Sequence, residues 1–261
     1  MKRPALFPVL LLVLASCKLG SAPAIREETF ERVYEIDPRS TLKVQDVDGS
    51  IQIYGSNDNQ LRIKAIKRSY SAERLRKIAV NIDVQPGNIA ITTVYPPPPR
   101  SFLADRSGTV DYVIAVPQTC RLASVQLDAG EMLVEGMQGQ GVRVSLKNGR
   151  LLIRNCFANL DIFLVNGNLD IGYEWWEDQA FSVEATLTNA NARLFLPQNP
   201  SLHLWAASED GWVTADFIDT NSKNEVGRKR NAIDLSVGQP PRPEIRIHTG
   251  SGNIGIAKSF P

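Results

Sequence analysis

The stretch that decides the fold is VRVSLKNGRLLI, residues 142–153, which recurs as LDIFLVNGNLDI at 160–171 and as VEATLTNANARL at 183–194. In each copy, apolar residues lie seven, five and three positions before a small turn residue, and two and four positions after it. Period-two alternation on both sides of a turn predicts two β-strands, each with one buried face. Helical spacing is absent from these stretches.

Apolar residues two and four positions after a small turn residue occur eight times along the chain. In chain order the turn residues are Gly49, Gly87, Gly130, Gly149, Gly167, Ala190, Gly211 and Gly252. A hairpin turn would pair its two strands with each other, whereas a corner would stack each strand on its counterpart one repeat away. A repeat of about 20 residues is too short for a propeller blade. The short repeat with like residues at matched positions favours corners, and so predicts a single-domain, all-β solenoid with about 20-residue coils.

The repeat register also places polar and sulfur-containing side chains. Asn148, Asn166 and Asn189 share one position in consecutive copies, where stacked amides can hydrogen-bond along the solenoid axis. A ligand-binding row of asparagines is the alternative. Cys120 and Cys156 lie about two coils apart, roughly 9–10 Å, which is too far for a disulfide. We therefore expect both thiols to be free and buried.

Three segments depart from the repeat. SAERLRKIA, residues 71–79, predicts one short N-terminal helix capped by Ser71 that closes the N-terminal end of the stack. The tetraproline run in residues 95–100 predicts an extended connector between strands. Residues 219–244 are polar and rich in proline and glycine around a short IDLSV strand, which predicts a long excursion before the last coil.

Composition excludes several classes of function. With 29 Lys and Arg against 28 Asp and Glu, the net charge of +1 offers no broad electrostatic surface for nucleic acid. Two histidines and three cysteines without metal-ligand spacing give no metal site, and no cofactor-binding motif occurs. The Asp46-Val47-Asp48-Gly49 segment has the start of a calcium loop but lacks the later acidic ligands.

The N-terminal residues resemble an export signal. A basic Lys2-Arg3 pair precedes an apolar run at residues 4–16, which predicts a signal peptide over residues 1–16. The sequence Leu14-Ala15-Ser16-Cys17 resembles the lipobox of bacterial lipoproteins. That resemblance implies cleavage before Cys17, acylation of its thiol and anchoring to a membrane. Residues 17–28 then form a lipidated tether, and residues 29–261 form the folded domain. Lys18 after the cysteine favours the outer membrane in a cell with two membranes.

Residues 44–257 resemble a family of bacterial adhesin-like domains of unknown function. The resemblance lies in VQDVDGSIQIYG at 44–55, VNGNLDI at 165–171 and IRIHTGSGNIGI at 245–256. Ala190 in place of glycine and the tetraproline run depart from that pattern. The family resemblance implies an exported β-solenoid that binds rather than catalyses, and it supplies no catalytic residues.

Two groups of residues are candidates for function. Trp175 and Trp176 lie in a lengthened turn, where they either bind a partner or pack on the solenoid edge. Asp161 and Glu184 fall on one strand face without neighbouring Arg or Lys in the repeat, and a carboxylate pair is what a glycosidase or polysaccharide lyase uses. We expect a non-enzymatic, membrane-anchored envelope lipoprotein that binds or scaffolds an envelope or extracellular protein or glycan. A carbohydrate-active enzyme on the same fold is the alternative.

Overall fold

The computed structural model describes residues 24–98, 105, 107–176, 179–198, 200–216, 231–238 and 242–258. Fifteen strands and one helix lie in these segments. They are Arg26–Glu35 (β1), Thr41–Ser56 (β2), Gln60–Ser69 (β3), Ala72–Lys77 (α1), Ala79–Gln85 (β4), Asn88–Val94 (β5), Thr109–Pro117 (β6), Arg121–Glu135 (β7), Val142–Arg154 (β8), Leu160–Gly172 (β9), Ser182–Leu196 (β10), Leu202–Asp210 (β11), Val213–Ala215 (β12), Ala232–Val237 (β13), Glu244–Ser251 (β14) and Ile254–Lys258 (β15).

The predicted β-solenoid is confirmed. Strands β2, β7, β8, β9 and β10 each run through a corner and pair in parallel with the next, with Gly130 beside Gly149 and Gly149 beside Gly167. A coil therefore consists of a first half-strand, the corner and a second half-strand. The inward positions predicted from the repeat are buried, and they stack into one continuous apolar core. Typical members are Val144, Leu146, Leu151 and Ile153, each at most 1% exposed.

Glycine is needed at the corner because the coils approach closely there. Gly149 has a φ of +141°, and a Cβ on it would lie 1.8 Å from the carbonyl oxygen of Gly130. The same holds for Gly167, with a φ of +136° and the carbonyl oxygen of Gly149 at 1.8 Å. Non-glycine residues rarely adopt such backbone angles. Ala190 shares the column but is not among the residues with positive φ, so the backbone changes conformation at that corner.

The stacked amides predicted at the corner are present. Asn166 donates from Nδ2 to Oδ1 of Asn148 at 2.9 Å, and Asn189 donates in turn to Asn166 at 3.3 Å. Asn148 closes the row by donating to the carbonyl oxygen of Asp128. Because these side chains satisfy one another along the axis, the row is a structural ladder.

The order of the coils departs from the order of the sequence at the C-terminal end. The half-strand order is β2-β7-β8-β9-β10-β14-β11, so β14 lies between β10 and β11. Likewise β15 pairs with both β10 and β12. Stacking one repeat away therefore holds from Gly130 to Ala190 and fails for Gly211. The last coil reaches its place after the predicted excursion, and the IDLSV strand of that excursion is confirmed as β13, which pairs antiparallel with β11.

The N-terminal end closes the stack differently. Strands β5 and β6 both pair in parallel with β2, one on each side of its corner, and form the first coil. The prediction of a corner at Gly87 is wrong, because β4 and β5 pair antiparallel with each other across a tight hairpin, with Gln85 opposite Asn88. Strand β1 begins at Arg26, inside the segment predicted as tether, and pairs antiparallel with β3.

The predicted helix forms as α1. Its cap is confirmed, since the Ser71 hydroxyl accepts a hydrogen bond from the Arg74 backbone N–H at 3.3 Å. One side chain, Leu75, is buried against the sheet. The proline connector has no helix or strand over residues 95–98, and its remaining residues lie outside the described segments.

Besides the two half-strands, a third side of the coils is closed by loop residues 155–159, 173–176 and 179–181. They contribute the buried side chains of Cys156, Phe157, Tyr173 and Phe181. Cys120 and Cys156 are free and buried, as predicted, and burial raises the pKa of each thiol to about 12. Neither is therefore a ready nucleophile at neutral pH.

Candidate functional site

The residues predicted for membrane attachment fall outside the described part of the chain. The signal peptide at residues 1–16, Cys17 and the first part of the tether all lie there. Within the described segments, no helix is long and apolar enough to cross a membrane. Membrane attachment through Cys17 thus stays a prediction.

The two loop tryptophans have different environments. Trp176 packs edge-on to Tyr173 at 5.4 Å between ring centroids and also lies 5.5 Å from Phe181. Its Nε1 is buried and finds no hydrogen-bond partner within the described chain. Trp175 is 47% exposed and contacts Phe157 at 5.9 Å between centroids. Trp176 therefore belongs to the packing of the third side, and Trp175 is the member of the pair that faces solvent.

The carboxylate pair predicted from the repeat is adjacent, as expected. Asp161 lies beside Glu184 in the β9–β10 register. The expectation that no basic residue accompanies them is wrong, because the neighbouring strands add Arg143 beside Asp161 and Arg246 beside Glu184. Arg143 donates from Nη2 to Asp161 at 2.8 Å. If the coils stacked in sequence order, Arg246 would not lie next to Glu184. It does so because β14 is inserted next to β10.

The same insertion builds a groove on the outer face of the C-terminal coils. Alternate residues of β10, β14 and β11 face the core, so the residues between them face outward. These outward side chains, together with Ala185 on the floor and one residue of β13, line a cavity of about 380 Å³. We call it the aromatic groove, and its lining residues are Glu184, Ala185, Thr186, His203, Trp205, Asp234, Arg246 and His248.

Aromatic rings form one wall of the groove. Trp205 and His248 lie with nearly parallel planes, 18° apart, and a centroid separation of 6.3 Å. They come from different strands, β11 and β14, whose register sets Ala207 beside His248. Both histidines of the chain line the groove, since His203 is on β11 next to Trp205 in the outward series.

Charged hydrogen bonds fix the polar wall. His203 lies between two carboxylates, with Nε2 at 2.8 Å from Asp234 and Nδ1 at 3.5 Å from Glu244. Arg246 donates from Nε and Nη2 to Glu244 at 3.0 and 2.6 Å. That hydrogen bond from Arg246, with a weaker one from His203, lowers the pKa of Glu244 below its ordinary value. His248 contacts Glu209 at 3.2 Å.

The groove therefore combines ring faces with both kinds of hydrogen-bonding group. Trp205 and the imidazoles supply apolar faces, Arg246 and Thr186 supply donors, and Glu184 and Asp234 supply acceptors. Such a mixture binds ligands that have both apolar surface and polar edges. Among the described residues, no set of three His, Cys, Asp or Glu side chains is placed to hold a metal ion.

Sequence reasoning missed this groove because its parts are distant along the chain. Its components come from residues 184–186, 203–205, 234 and 246–248, and only the strand order brings them together. One signal was available, because HLW at 203–205 and RIH at 246–248 put both histidines at outward positions of the repeat.

Comparison with solved structures agrees with the fold. A crystal structure of a proposed cell adhesion protein from Clostridium sporogenes superposes with a TM-score of 0.50 at 15% identity, covering 89% of this chain and 100% of that one. Proposed adhesins from Bacteroides fragilis and Parabacteroides merdae align with TM-scores of 0.29 and 0.32 at 9% and 10% identity. Each of these two alignments covers 89% of this chain and 97% of the other. No curated protein matches the sequence.

The family comparison covers most of the chain. Residues 37–257 match the family model described as Toastrack DUF4097. That span begins just before β2 and ends within β15, so it contains every coil of the solenoid. The chain therefore belongs to the Toastrack DUF4097 family.

Proposed function

We propose that this protein is a non-enzymatic binding module of the bacterial cell envelope, held at a membrane through acylated Cys17, and that the aromatic groove binds a glycan. The observation that carries the proposal is the groove itself. A sugar ring has apolar C–H faces and hydroxyl edges, which match the Trp205 face and the Arg246, Thr186 and Asp234 groups.

The arrangement of carboxylates supports binding rather than hydrolysis. Glycoside hydrolysis needs one carboxylic acid held protonated beside a second, ionised carboxylate. At the groove, Glu244 is paired with Arg246, and the hydrogen bond from Arg246 lowers the pKa of the Glu244 carboxyl group. An adjacent guanidinium favours the ionised form of a carboxyl group, which is the opposite of what a general acid requires.

The N-terminal sequence supports a location in the cell envelope. The lipobox at residues 14–17 and the tether after it would hold the solenoid close to a membrane surface. The solenoid domain would then present its outward faces to other envelope components.

The anchoring part of the proposal is tested with Cys17→Ser. An epitope-tagged chain should follow the membrane fraction, and the Cys17→Ser chain should leave it. Protease treatment of intact and lysed cells then tells surface display from an internal location. Retention of the Cys17→Ser chain in membranes would overturn the anchor.

The binding part is tested with the domain lacking its first 17 residues, titrated with soluble oligosaccharides released from envelope polymers. Trp205→Ala should weaken binding at least tenfold, because it removes the ring face. Trp175→Ala is the matched control, since it removes an exposed tryptophan of the third side. Melting temperatures confirm that both variants fold. If Trp175→Ala loses binding and Trp205→Ala keeps it, the glycan site lies at the loop that carries Trp175 and not in the aromatic groove.

A further inference from the structure

A second charged cluster lies on the other face of the coils, among the second half-strands. Asp170 of β9 points outward, yet it is 8% exposed because two arginines cover it. Arg150 comes from β8 and Arg193 from β10, so the three side chains span three consecutive strands. This cluster belongs neither to the aromatic groove nor to the apolar core.

The hydrogen bonds saturate the carboxylate. Arg150 donates from Nε and Nη2 to Oδ2 of Asp170 at 3.1 and 2.8 Å. Arg193 donates from Nε to Oδ1 at 2.6 Å and from Nη2 to Oδ2 at 2.8 Å. Burial alone would raise the pKa of Asp170, but the hydrogen bonds from Arg193 and Arg150 outweigh it and hold the pKa below its ordinary value. The carboxylate is therefore ionised, and its acceptor capacity is used.

What remains is an excess of donors with positive charge. Each guanidinium has five N–H groups and uses two on Asp170, so the others point elsewhere. The Nη2 atoms of Arg150 and Arg193 each lie 2.8 Å from the same oxygen, Oδ2 of Asp170, so the two guanidinium groups are close neighbours. Within the cluster of Arg150, Arg193 and Asp170, two guanidinium charges against one carboxylate leave a net charge of +1. Arg193 is also held over the Phe195 ring, 5.7 Å from its centroid.

These groups surround an open cleft of about 420 Å³, the arginine cleft. Its lining residues are Arg150, Asn168, Leu169, Asp170, Asn191 and Arg193. The Asn191 amide is fixed, because its Oδ1 accepts from the backbone N–H of Asn253 at 2.9 Å and its Nδ2 lies 3.5 Å from Asn168 Oδ1. With that Asn168 oxygen engaged, the Asn168 amide nitrogen adds another donor to the rim. Glu131 lies on the far strand, beside Arg150 and away from Asp170.

We propose that the arginine cleft binds a phosphate group, either free or as a phosphodiester on an envelope component. Guanidinium pairs recognise oxyanions through parallel N–H donors. Donors that come from two guanidiniums and an amide match a tetrahedral group with several oxygens better than a planar carboxylate with two. The single positive charge of the cleft matches the single negative charge of a phosphodiester.

The test uses the domain lacking its first 17 residues and follows the arginine Nε–Hε signals by NMR. Three probes distinguish the sources of the phosphate: inorganic phosphate, soluble glycerophosphoglycerol and phosphatidylglycerol vesicles, with phosphatidylcholine vesicles as the blank. Inorganic phosphate or the soluble diester should shift the Arg150 and Arg193 signals, and added NaCl should weaken the effect. Binding to phosphatidylglycerol vesicles alone would assign the phosphate to a lipid headgroup.

Arg150→Gln and Arg193→Gln should each reduce the affinity for the bound probe at least tenfold. Arg143→Gln is the matched control, because Arg143 also donates from Nε and Nη2 to one carboxylate, Asp161, but does not line the arginine cleft. It should leave binding unchanged. If the cluster only stabilises the sheet, the Arg150 and Arg193 variants lower the melting temperature while no probe shifts any arginine signal. That outcome, or equal loss of binding in Arg143→Gln, overturns the proposal.

Discussion

The middle coils and the end coils differ at one interior column, three positions before the corner. In the middle, four leucines stack in register: Leu127, Leu146, Leu164 and Leu187. At the N-terminal end the same column holds Asp46, and at the C-terminal end it holds Thr249 and Ser208. All three polar residues are at most 4% exposed. The middle coils are thus held together by leucine–leucine contacts that repeat from coil to coil. Each end coil has instead a polar residue at this position, with its own hydrogen bonds.

Each polar end residue has a specific partner. Asp46 accepts hydrogen bonds from the Tyr95 hydroxyl at 2.9 Å and from the Val47 backbone N–H at 2.8 Å. Thr249 donates to the carbonyl oxygen of Ala190 at 2.9 Å, and Ser208 donates to that of Gly252 at 2.7 Å. The Tyr95 bond ties the N-terminal coil to the proline connector outside the repeat, whereas the Thr249 and Ser208 bonds hold the C-terminal coils to a neighbouring corner. The difference shows that a repeat supplies the core, while its interruptions supply the ends and the groove.

Moving the end residue into the middle should have the largest effect. Leu146→Asp places a carboxyl group in the leucine column with no tyrosine to donate to it. We expect the unfolding free energy to fall by about 5 kcal/mol, which prevents folding of a typical domain. Circular dichroism and urea unfolding measure this, with Leu146→Met as the control that loses less than about 1.5 kcal/mol. A folded Leu146→Asp chain of near-normal stability would show that the middle coils tolerate a carboxyl group in this column as well as the end coils do.

Changing the corner should have the next largest effect. Gly149→Ala forces a Cβ to within 1.8 Å of the Gly130 carbonyl oxygen at a φ of +141°. We expect a loss of about 4 kcal/mol, from backbone strain together with the clash. Ala190→Gly, in the same column, should cost only about 1 kcal/mol. Equal losses in the two variants, by urea unfolding, would contradict the difference between these corners.

The buried carboxyl at the N-terminal end should make stability depend on pH. Burial raises the pKa of Asp46 from 3.8 to about 6, and one of its oxygens, Oδ2, has no hydrogen-bond partner among the described residues. Its contribution to stability is therefore complete below about pH 4 and is lost as the pH rises through about 6. The two pKa values correspond to a loss of about 3 kcal/mol.

Asp46→Asn should remove that dependence. We expect the difference in unfolding free energy between Asp46→Asn and the original chain to shift by about 3 kcal/mol in favour of the variant between pH 4 and pH 7. Urea unfolding at pH 4, 5, 6 and 7 gives this difference directly. A difference that stays constant over the range would mean that Asp46 does not titrate as its burial requires.

The asparagine ladder should have the smallest effect. Asn166→Ala removes two exposed amide hydrogen bonds, to Asn148 and from Asn189, in the regular middle of the stack. We expect a loss of about 1 kcal/mol or less, because water replaces exposed hydrogen bonds. Thermal unfolding measures it against Asn168→Ala, which removes a longer contact at 3.5 Å. A loss as large as that of Gly149→Ala would mean that the ladder, rather than the glycine column, holds the corner.

The sequence predicts the middle coils well because their information is local. In VRVSLKNGRLLI the alternation fixes which side chains point inward, and the asparagine and glycine fix the corner. The same local pattern around Gly87 gives a hairpin, in which residues 86 and 87 join β4 to β5 and the two strands pair antiparallel. Local alternation does not distinguish these outcomes, since both bury the same face.

The groove could not be predicted in the same way. The strand next to β10 is determined by where the last coil stacks after the excursion. The sequence of β10 itself does not specify this neighbour. The composition of the loop singles out Trp175 and Trp176, but Trp176 packs against Tyr173 and Phe181. Trp205 was inconspicuous until β14 brought Arg246 and His248 next to it.

The most direct test of this account is the placement of β14 between β10 and β11. Thr186 and His248 are register neighbours, and His248 is in turn the neighbour of Ala207. Adjacent strands lie about 4.8 Å apart, within reach of a disulfide, and strands two apart lie about 10 Å apart, beyond it.

In a Cys17→Ser background, the pair Thr186→Cys with His248→Cys should therefore cross-link on oxidation, and the pair Thr186→Cys with Ala207→Cys should not. Non-reducing electrophoresis and mass spectrometry of the linked peptides read this out. Cross-linking of the second pair instead of the first would mean that the coils stack in sequence order, and the aromatic groove would not exist.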